Sequence, residues 1–179
     1  RCTTDSTVMR CNRFGTEESE IDDCRSFACM GGQCIRPNTC NGAISVRSSA
    51  NQPGGANYTG RWAAFTNNLG GSASTNSCDV TNTHRSGEDV IWEVQMNSGE
   101  ALRASVNTLG NIKDPSIAVQ SSCGPLSDMN CISGSEGEDT PATAEYVSDS
   151  QQTVYVVGSN DGDSDDEEIF EADIELFSS

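Results

Sequence analysis

Apolar and polar residues alternate along much of this chain with a period of two, the spacing of a strand that is buried on one face and wet on the other. Near the C-terminus Phe170, Ala172, Ile174 and Leu176 alternate with Glu171, Asp173 and Glu175. Val90, Trp92, Val94 and Met96 likewise share one face of a segment whose other face carries Ile91, Glu93 and Gln95. Leu102, Ala104 and Val106 repeat the pattern beyond a turn at Asn97-Ser98-Gly99, and two strands joined by so short a turn are expected to pair as a hairpin. Further strands are predicted over 43–47, 58–66, 116–120, 144–147 and 153–158, separated by Gly, Asn, Ser, Asp and Pro clusters that serve as turns. About eight short strands without a long amphipathic helix predict an all-β chain, an antiparallel jelly-roll-like β-sandwich.

The first part of the chain breaks this pattern. Cys2, Cys11, Cys24, Cys29 and Cys34 come with almost no apolar periodicity, so this stretch needs disulfide staples to hold a shape. The expected organisation is a cysteine-rich module over 1–37 and a sandwich over 38–179, with the boundary near Arg36-Pro37-Asn38. Nine cysteines in 179 residues point to an oxidising compartment, and Arg1 reads as the start of a processed, exported chain. Cys24-x4-Cys29-x4-Cys34 lacks the Cys-x2-Cys knuckles of structural zinc. No run of about 18 apolar residues offers a transmembrane helix.

Charge is the next strong signal. Residues 1–113 hold 11 acids and all 10 bases, whereas residues 114–179 hold 16 acids and no base. A net charge of -17 excludes a nucleic-acid binder, which needs a basic surface. The alternation over 169–177 argues against disorder in the anionic third, because its acids form the wet face of a strand. A carboxylate-rich surface and a single lysine, Lys113, also fit life in salty water.

From Cys40 onward a set of motifs stands in order: Cys40-Asn41-Gly42-Ala43, Tyr58-Thr59-Gly60, Cys78, Gly87-Glu88-Asp89-Val90-Ile91-Trp92, Asp114-Pro115-Ser116-Ile117, Ser122-Cys123, Cys131 and Val154-Tyr155-Val156-Val157-Gly158. Over residues 38–179 the chain resembles the bacterial pre-peptidase C-terminal domain. The leader, with Cys11-Asn12-x-x-Gly15 and Cys29-Met30-Gly31-Gly32-Gln33-Cys34, resembles short cysteine-rich repeats of delta-proteobacterial surface proteins. The resemblance implies a non-catalytic, calcium-associated jelly roll with Cys40 paired to Cys78 and Cys123 to Cys131. It also implies acidic motif positions at Asp89 and Asp114. With those pairings the five leader cysteines cannot all pair among themselves, leaving one loose or available for an intermolecular disulfide.

The metal candidates are Asp161, Asp163 and Asp165 in the loop Asn160 to Glu168, together with Asp89 and Asp114. Alternate carboxylates in a turn can converge on a calcium ion (Ca2+), which takes six to eight oxygen ligands. The loop is no EF-hand, since Asp166 stands where that motif needs Gly and Ala172 where it needs Glu. A solvated hairpin tip is the alternative for the loop, and turn capping the alternative for Asp89 and Asp114.

Catalytic signals are sparse. The single histidine, His84, lies in a polar loop sequence without a nucleophile elbow, zinc-protease motif or phosphate loop. The pair Glu136 and Glu138 is what chance supplies among so many acids. Trp62 and Tyr155 are left as candidates for a sugar-stacking platform, because Trp92 has core parity. The expectation is a secreted, non-catalytic extracellular or cell-surface structural protein that associates with copies of itself or with other surface components, as a filament or surface-layer subunit. The alternative is a calcium-dependent module that binds polysaccharide or protein for a secreted enzyme system.

Overall fold

The computed structural model describes residues 7–11, 18–23, 28–30, 33–35, 39–47, 56–62, 69–80, 88–109, 114–137, 141–160 and 169–178. Two short hairpins come first: β1 (Thr7–Cys11) pairs with β2 (Glu18–Asp23), and β3 (Ala28–Met30) with β4 (Gln33–Ile35). Among the described residues neither hairpin shares a ladder with the strands that follow. A single 3-10 turn over Cys40–Gly42 is capped by Thr39, whose hydroxyl accepts the Gly42 N–H at 3.2 Å. It leads into β5 (Ile44–Arg47), β6 (Ala56–Arg61), β7 (Ala73–Thr75), β8 (Cys78–Val80), β9 (Asp89–Met96) and β10 (Glu100–Leu109). The chain continues through β11 (Ser116–Gln120), β12 (Cys131–Glu136), β13 (Ala142–Val147), β14 (Gln152–Ser159) and β15 (Ile169–Ser178).

These strands form a sandwich of a seven-stranded sheet, β5-β9-β14-β11-β12-β8-β7, and a four-stranded sheet, β13-β10-β15-β6. The antiparallel pairs β6–β15, β9–β14, β10–β13 and β11–β12 lie successively along one ribbon. The ribbon passes from the smaller sheet to the larger, back, and across again, which is the winding of a jelly roll. Strand β5 adds to one side of the larger sheet, and β8 with β7 to the other.

The hairpin expected between β9 and β10 does not form, because the two strands belong to different sheets. The turn between them is tight, with the Glu100 N–H on the Asn97 carbonyl at 3.2 Å and Gly99 at φ +81°, a conformation that favours glycine. Glu100 locks it by accepting from the Asn97 amide N–H at 2.7 Å and from its side-chain Nδ2 at 2.9 Å. Instead of closing a hairpin, the turn folds the chain over onto the crossing from β13 to β14. The Gly99 N–H donates to the Ser148 carbonyl at 2.7 Å, and the Ser148 N–H to the Glu100 carbonyl at 2.9 Å. Folding over sets the apolar faces of β9 and β10 against each other across the sandwich.

The core follows from that placement. Val90, Trp92, Val94 and Met96 of β9 join Val154, Val156, Ile117 and Val119 on the larger sheet. They meet Leu102, Ala104, Val106, Ala142, Ala144, Phe170, Ala172 and Ile174 from the smaller one. Three aromatic rings hold the centre: Trp62 lies 4.7 Å from Phe170 between ring centroids, and Trp92 meets Phe170 edge-on at 6.4 Å. Trp62 is fully buried and donates from Nε1 to the Thr108 hydroxyl at 3.1 Å. It is therefore a core residue and is not available as a sugar-stacking candidate.

The outer face of β9 is buried at its start, where Ile91 packs against Leu69 and Val157, and opens along the strand to half-buried Glu93 and exposed Gln95. A second outer cluster sets Ala118 against Ala73, Cys78, Val80 and Leu126. Two disulfides tie these covering segments down: Cys40–Cys123, with Cα atoms 5.7 Å apart, and Cys78–Cys131, at 6.3 Å. This corrects the pairing of Cys40 with Cys78 and Cys123 with Cys131. The reason is topological, because β8 adds beside β12 with Cys78 in register with Gly134, which brings Cys131 within bonding distance. Cys11, Cys29 and Cys34 lie on β1, β3 and β4, with Cys29 opposite Cys34 in register, while Cys2 and Cys24 lie outside the described residues.

Two outcomes test this packing. A Cβ added at Gly60 would stand 2.7 Å from Cε1 of the buried Phe170 ring, so Gly60→Ala should cost roughly 1–3 kcal/mol in a denaturant titration. Peptide mapping of the unreduced protein should recover the Cys40–Cys123 and Cys78–Cys131 linkages. Opening either by a paired Cys→Ser change should cost about 4 kcal/mol by loop-closure entropy.

Candidate functional site

The sandwich treats its two outer faces differently. The larger sheet is roofed by the segment around Leu69 to Val80 and by the loop that carries Cys123 and Leu126. On the smaller sheet β3 lies close to the edge strand β6, while most of the described outward side chains of β13, β10 and β15 are exposed or half-exposed. Four large hydrophobic side chains are exposed among the described residues, Leu109, Met129, Val147 and Phe177, and three of them belong to the smaller sheet.

Register arranges that face in rows. Ala101 of β10 stands opposite Val147 on one side and Phe177 on the other, giving an apolar row in which Val147 is 54 % and Phe177 42 % exposed. The next row is Glu145, Arg103, Glu175. Beyond it come Thr143, Ser105, Asp173 and Asn57, then Asn107, Glu171 and Thr59, and finally Leu109, Ile169 and the register position of Arg61. The face is apolar at both ends and acidic between them.

Arg103 is the single cation with a described side chain in these rows. Its Nε donates to Glu145 at 2.7 Å, its Nη1 lies 3.9 Å from Glu175, and its guanidinium sits 5.6 Å from the centre of the Phe177 ring. The hydrogen bond and charge of Glu145, followed by the charge of Glu175, hold the Arg103 pKa above its ordinary value. These partners are solvent-exposed, so they orient Arg103 over the ring and add little to stability. Four acids, Glu145, Glu171, Asp173 and Glu175, outnumber the two arginines whose register positions fall on this face, Arg103 and Arg61.

A second polar grouping lies at one end of the larger sheet. Asp89, Ser159, Ser116 and Glu136 are successive cross-strand partners on β9, β14, β11 and β12. Asp89 is fully buried; one carboxylate oxygen accepts the Leu69 N–H at 2.7 Å and the other the Ser159 hydroxyl at 2.9 Å. Nearby, the side-chain oxygen of Asn160 accepts the Glu88 N–H at 2.7 Å. A buried carboxylate persists when hydrogen bonds replace its lost hydration. Asp89 uses them to pin Leu69 over Ile91 and Val157.

The metal candidates are therefore not brought together within view. Asp114 is half-buried just ahead of β11, and Asp161, Asp163 and Asp165 lie outside the described residues. Among the described residues no three His, Cys, Asp or Glu side chains gather as a metal-binding group, so the residues in view do not assemble a calcium ligand set. Of the earlier aromatic candidates, Tyr155 is half-buried against the Leu69, Ile91 and Val157 cluster. His84 lies outside the described residues, as does Glu138, and Glu136 closes the polar row. No described helix is long and apolar enough to cross a membrane.

The open face escaped sequence reasoning although its residues were all visible as the wet side of alternating strands. Phe177 and Val147 break that wet side with large apolar groups, and Leu109 does so at the end of β10. Sheet order is what puts them on one surface. No protein-family model and no curated protein matches the chain.

The assignment of Asp89 as an anchor is testable. Asp89→Ala leaves the Leu69 N–H without its acceptor, and should lower unfolding stability by about 1–3 kcal/mol while raising amide exchange at Leu69.

Proposed function

We propose that this protein is a non-catalytic extracellular structural module that associates with copies of itself. The observation that carries the reading is the open outer face of the four-stranded sheet, where Val147, Phe177 and Leu109 remain exposed. Val147 and Phe177 flank Ala101 at one end of that face and Leu109 lies at the other, and large apolar groups left exposed beside charged rows are a feature of interaction sites. The opposite face of the sandwich spends its apolar residues inward, under loops fixed by disulfides. Disulfides of this kind persist in oxidising surroundings, which supports placement outside the cytosol.

Cysteine arithmetic adds a covalent route. The four sandwich cysteines close on one another, so the five of the leader, being odd in number, cannot all pair among themselves. One thiol is then available to a neighbouring molecule.

The test is the mass of the native, unreduced protein in light scattering, with calcium and then with chelator, followed by reduction under mild conditions. Particles of two or more chains are expected. A strict monomer at every concentration and in both ionic conditions overturns the self-association reading.

A further inference from the structure

The loop between β11 and β12 presents one large apolar side chain to solvent on a braced support. Met129 is 94 % exposed, the most of any large hydrophobic residue among those described. The Cys40–Cys123 and Cys78–Cys131 disulfides tie the loop down at both ends. Asn130 closes it: its Oδ1 accepts the Ser127 N–H at 2.9 Å, its Nδ2 donates to the Pro125 carbonyl at 3.0 Å, and its own carbonyl accepts the Ser121 N–H at 2.8 Å. The Asp128 carboxylate accepts the Ser74 N–H at 2.8 Å, which fastens the tip to β7. An apolar group held on a loop fixed in this way gives up little freedom when it is covered.

We propose that Met129 of one copy docks in the apolar end row of the smaller sheet of a second copy, between Val147 and Phe177 and over Ala101. The inference rests on the self-association reading and names the two surfaces that meet. In that row the single methyl of Ala101 stands in register between the larger Val147 and Phe177, so the row is a shallow notch with two apolar walls. A methionine side chain is unbranched and adaptable, and its sulfur packs favourably beside an aromatic ring such as that of Phe177. One such contact covers three of the four large hydrophobic side chains exposed among the described residues.

Charge favours the same occupant. In a chain of net charge -17, residues 69–78 hold no charged residue and residues 115–135 hold one, Asp128, whose carboxylate is engaged by Ser74. These two stretches supply the cover of the larger sheet, so the surface around Met129 is close to neutral. The notch borders the row of Glu145, Arg103 and Glu175, and a near-neutral surface approaches that row without the repulsion that an acidic one meets. The loop belongs to the outer side of the larger sheet and the notch to the outer side of the smaller one, with the sandwich between them. Each copy therefore offers one knob and one notch to different neighbours, a head-to-tail contact that can propagate.

The experiment uses two variants, with free thiols blocked by iodoacetamide so that only non-covalent association is read. Met129→Ser removes the knob, and Val147→Ser with Phe177→Ser removes the walls of the notch; all three positions are exposed. Circular dichroism and thermal melting establish that each variant is folded. By sedimentation, each alone should associate at least about tenfold more weakly than the native protein. Their equimolar mixture should form 1:1 dimers that do not grow, because the first variant keeps a notch and the second keeps a knob. Raising ionic strength to about 0.5 M should preserve or strengthen native association, since salt screens the repulsion between two acidic chains.

If the native protein associates and either variant associates as strongly, the contact is wrong and self-association stands. If both variants weaken association but their mixture stays monomeric, the two surfaces do not meet each other and the proposal falls. Loss of native association at high salt overturns it as well. If the thiol-blocked native protein is monomeric the proposal falls, and if the unblocked protein is monomeric too the self-association reading falls with it.

Discussion

The structure depends on a ribbon that is folded over between two sheets. At its tightest fold the Gly99 N–H meets the Ser148 carbonyl and the Ser148 N–H meets the Glu100 carbonyl, so two crossings support each other as a single backbone-bonded unit. Neighbouring side chains reinforce it: the Ser98 hydroxyl donates to the Asp149 carbonyl at 2.9 Å, and Gln152 Nε2 donates to the Ser148 hydroxyl at 2.6 Å and the Tyr146 hydroxyl at 2.7 Å. With the crossings fixed, β9 pairs with β14 while β10 pairs with β13, and the two pairs face each other. Trp92 then has Phe170 to pack against, and Phe170 has Trp62. Tyr58 closes the group at 5.6 Å from Trp92, and its burial raises the phenol pKa.

A sandwich with such a core still has two outer faces and several edges to satisfy. The larger sheet resolves its outer face with chain: Leu69 is held down by Asp89, Leu126 by the cluster around Ala118, and the disulfides fix both coverings to the sheet. Each covering segment needs a specific anchor because its own apolar content is small. The buried carboxylate of Asp89 illustrates the exchange, since hydration is given up and two hydrogen bonds take its place. The smaller sheet has received no equivalent treatment among the described residues. Its outer face is where polar strands and large apolar side chains meet solvent together, in contrast to the covered face of the larger sheet.

Much of the inner structure was legible because period two reports directly on half-buried strands. β9, β10, β11, β14 and β15 fall where alternation or short apolar runs place them. Sheet membership was not legible. A three-residue turn brings two strands close, yet hairpin and fold-over satisfy that proximity equally, and the choice is made by partners some fifty residues away, such as Ser148 for Gly99. β7 and β8 are too short to show a period, and β12 reads as Cys-Ile-Ser-Gly-Ser-Glu, with hydroxyls where a strand usually shows bulk. Two of those hydroxyls, on Ser133 and Ser135, close the edge against β13, so the unusual composition has a structural use. Trp62 looked solitary because the residue it hydrogen-bonds, Thr108, lies 46 positions away. The cysteine pairing and the role of Asp89 were hidden for the same reason: each depends on which distant strand becomes a neighbour.

Charge distribution bears on association in a way that net charge alone obscures. Two chains of -17 repel at long range, but salt screens that repulsion over about 8 Å at physiological ionic strength. Within that distance the balance is local, and this chain is locally uneven: one stretch has arginines without acids, another has acids without bases. Uniformly mixed charge would leave orientation undecided, whereas segregated charge makes contacts between unlike surfaces favourable and contacts between like surfaces costly. The apolar ends of the open face add attraction without a preferred direction. The rows between them set Glu171, Asp173 and Glu175 beside Arg103, which Glu145 already engages, so the middle of the face repels another anionic surface.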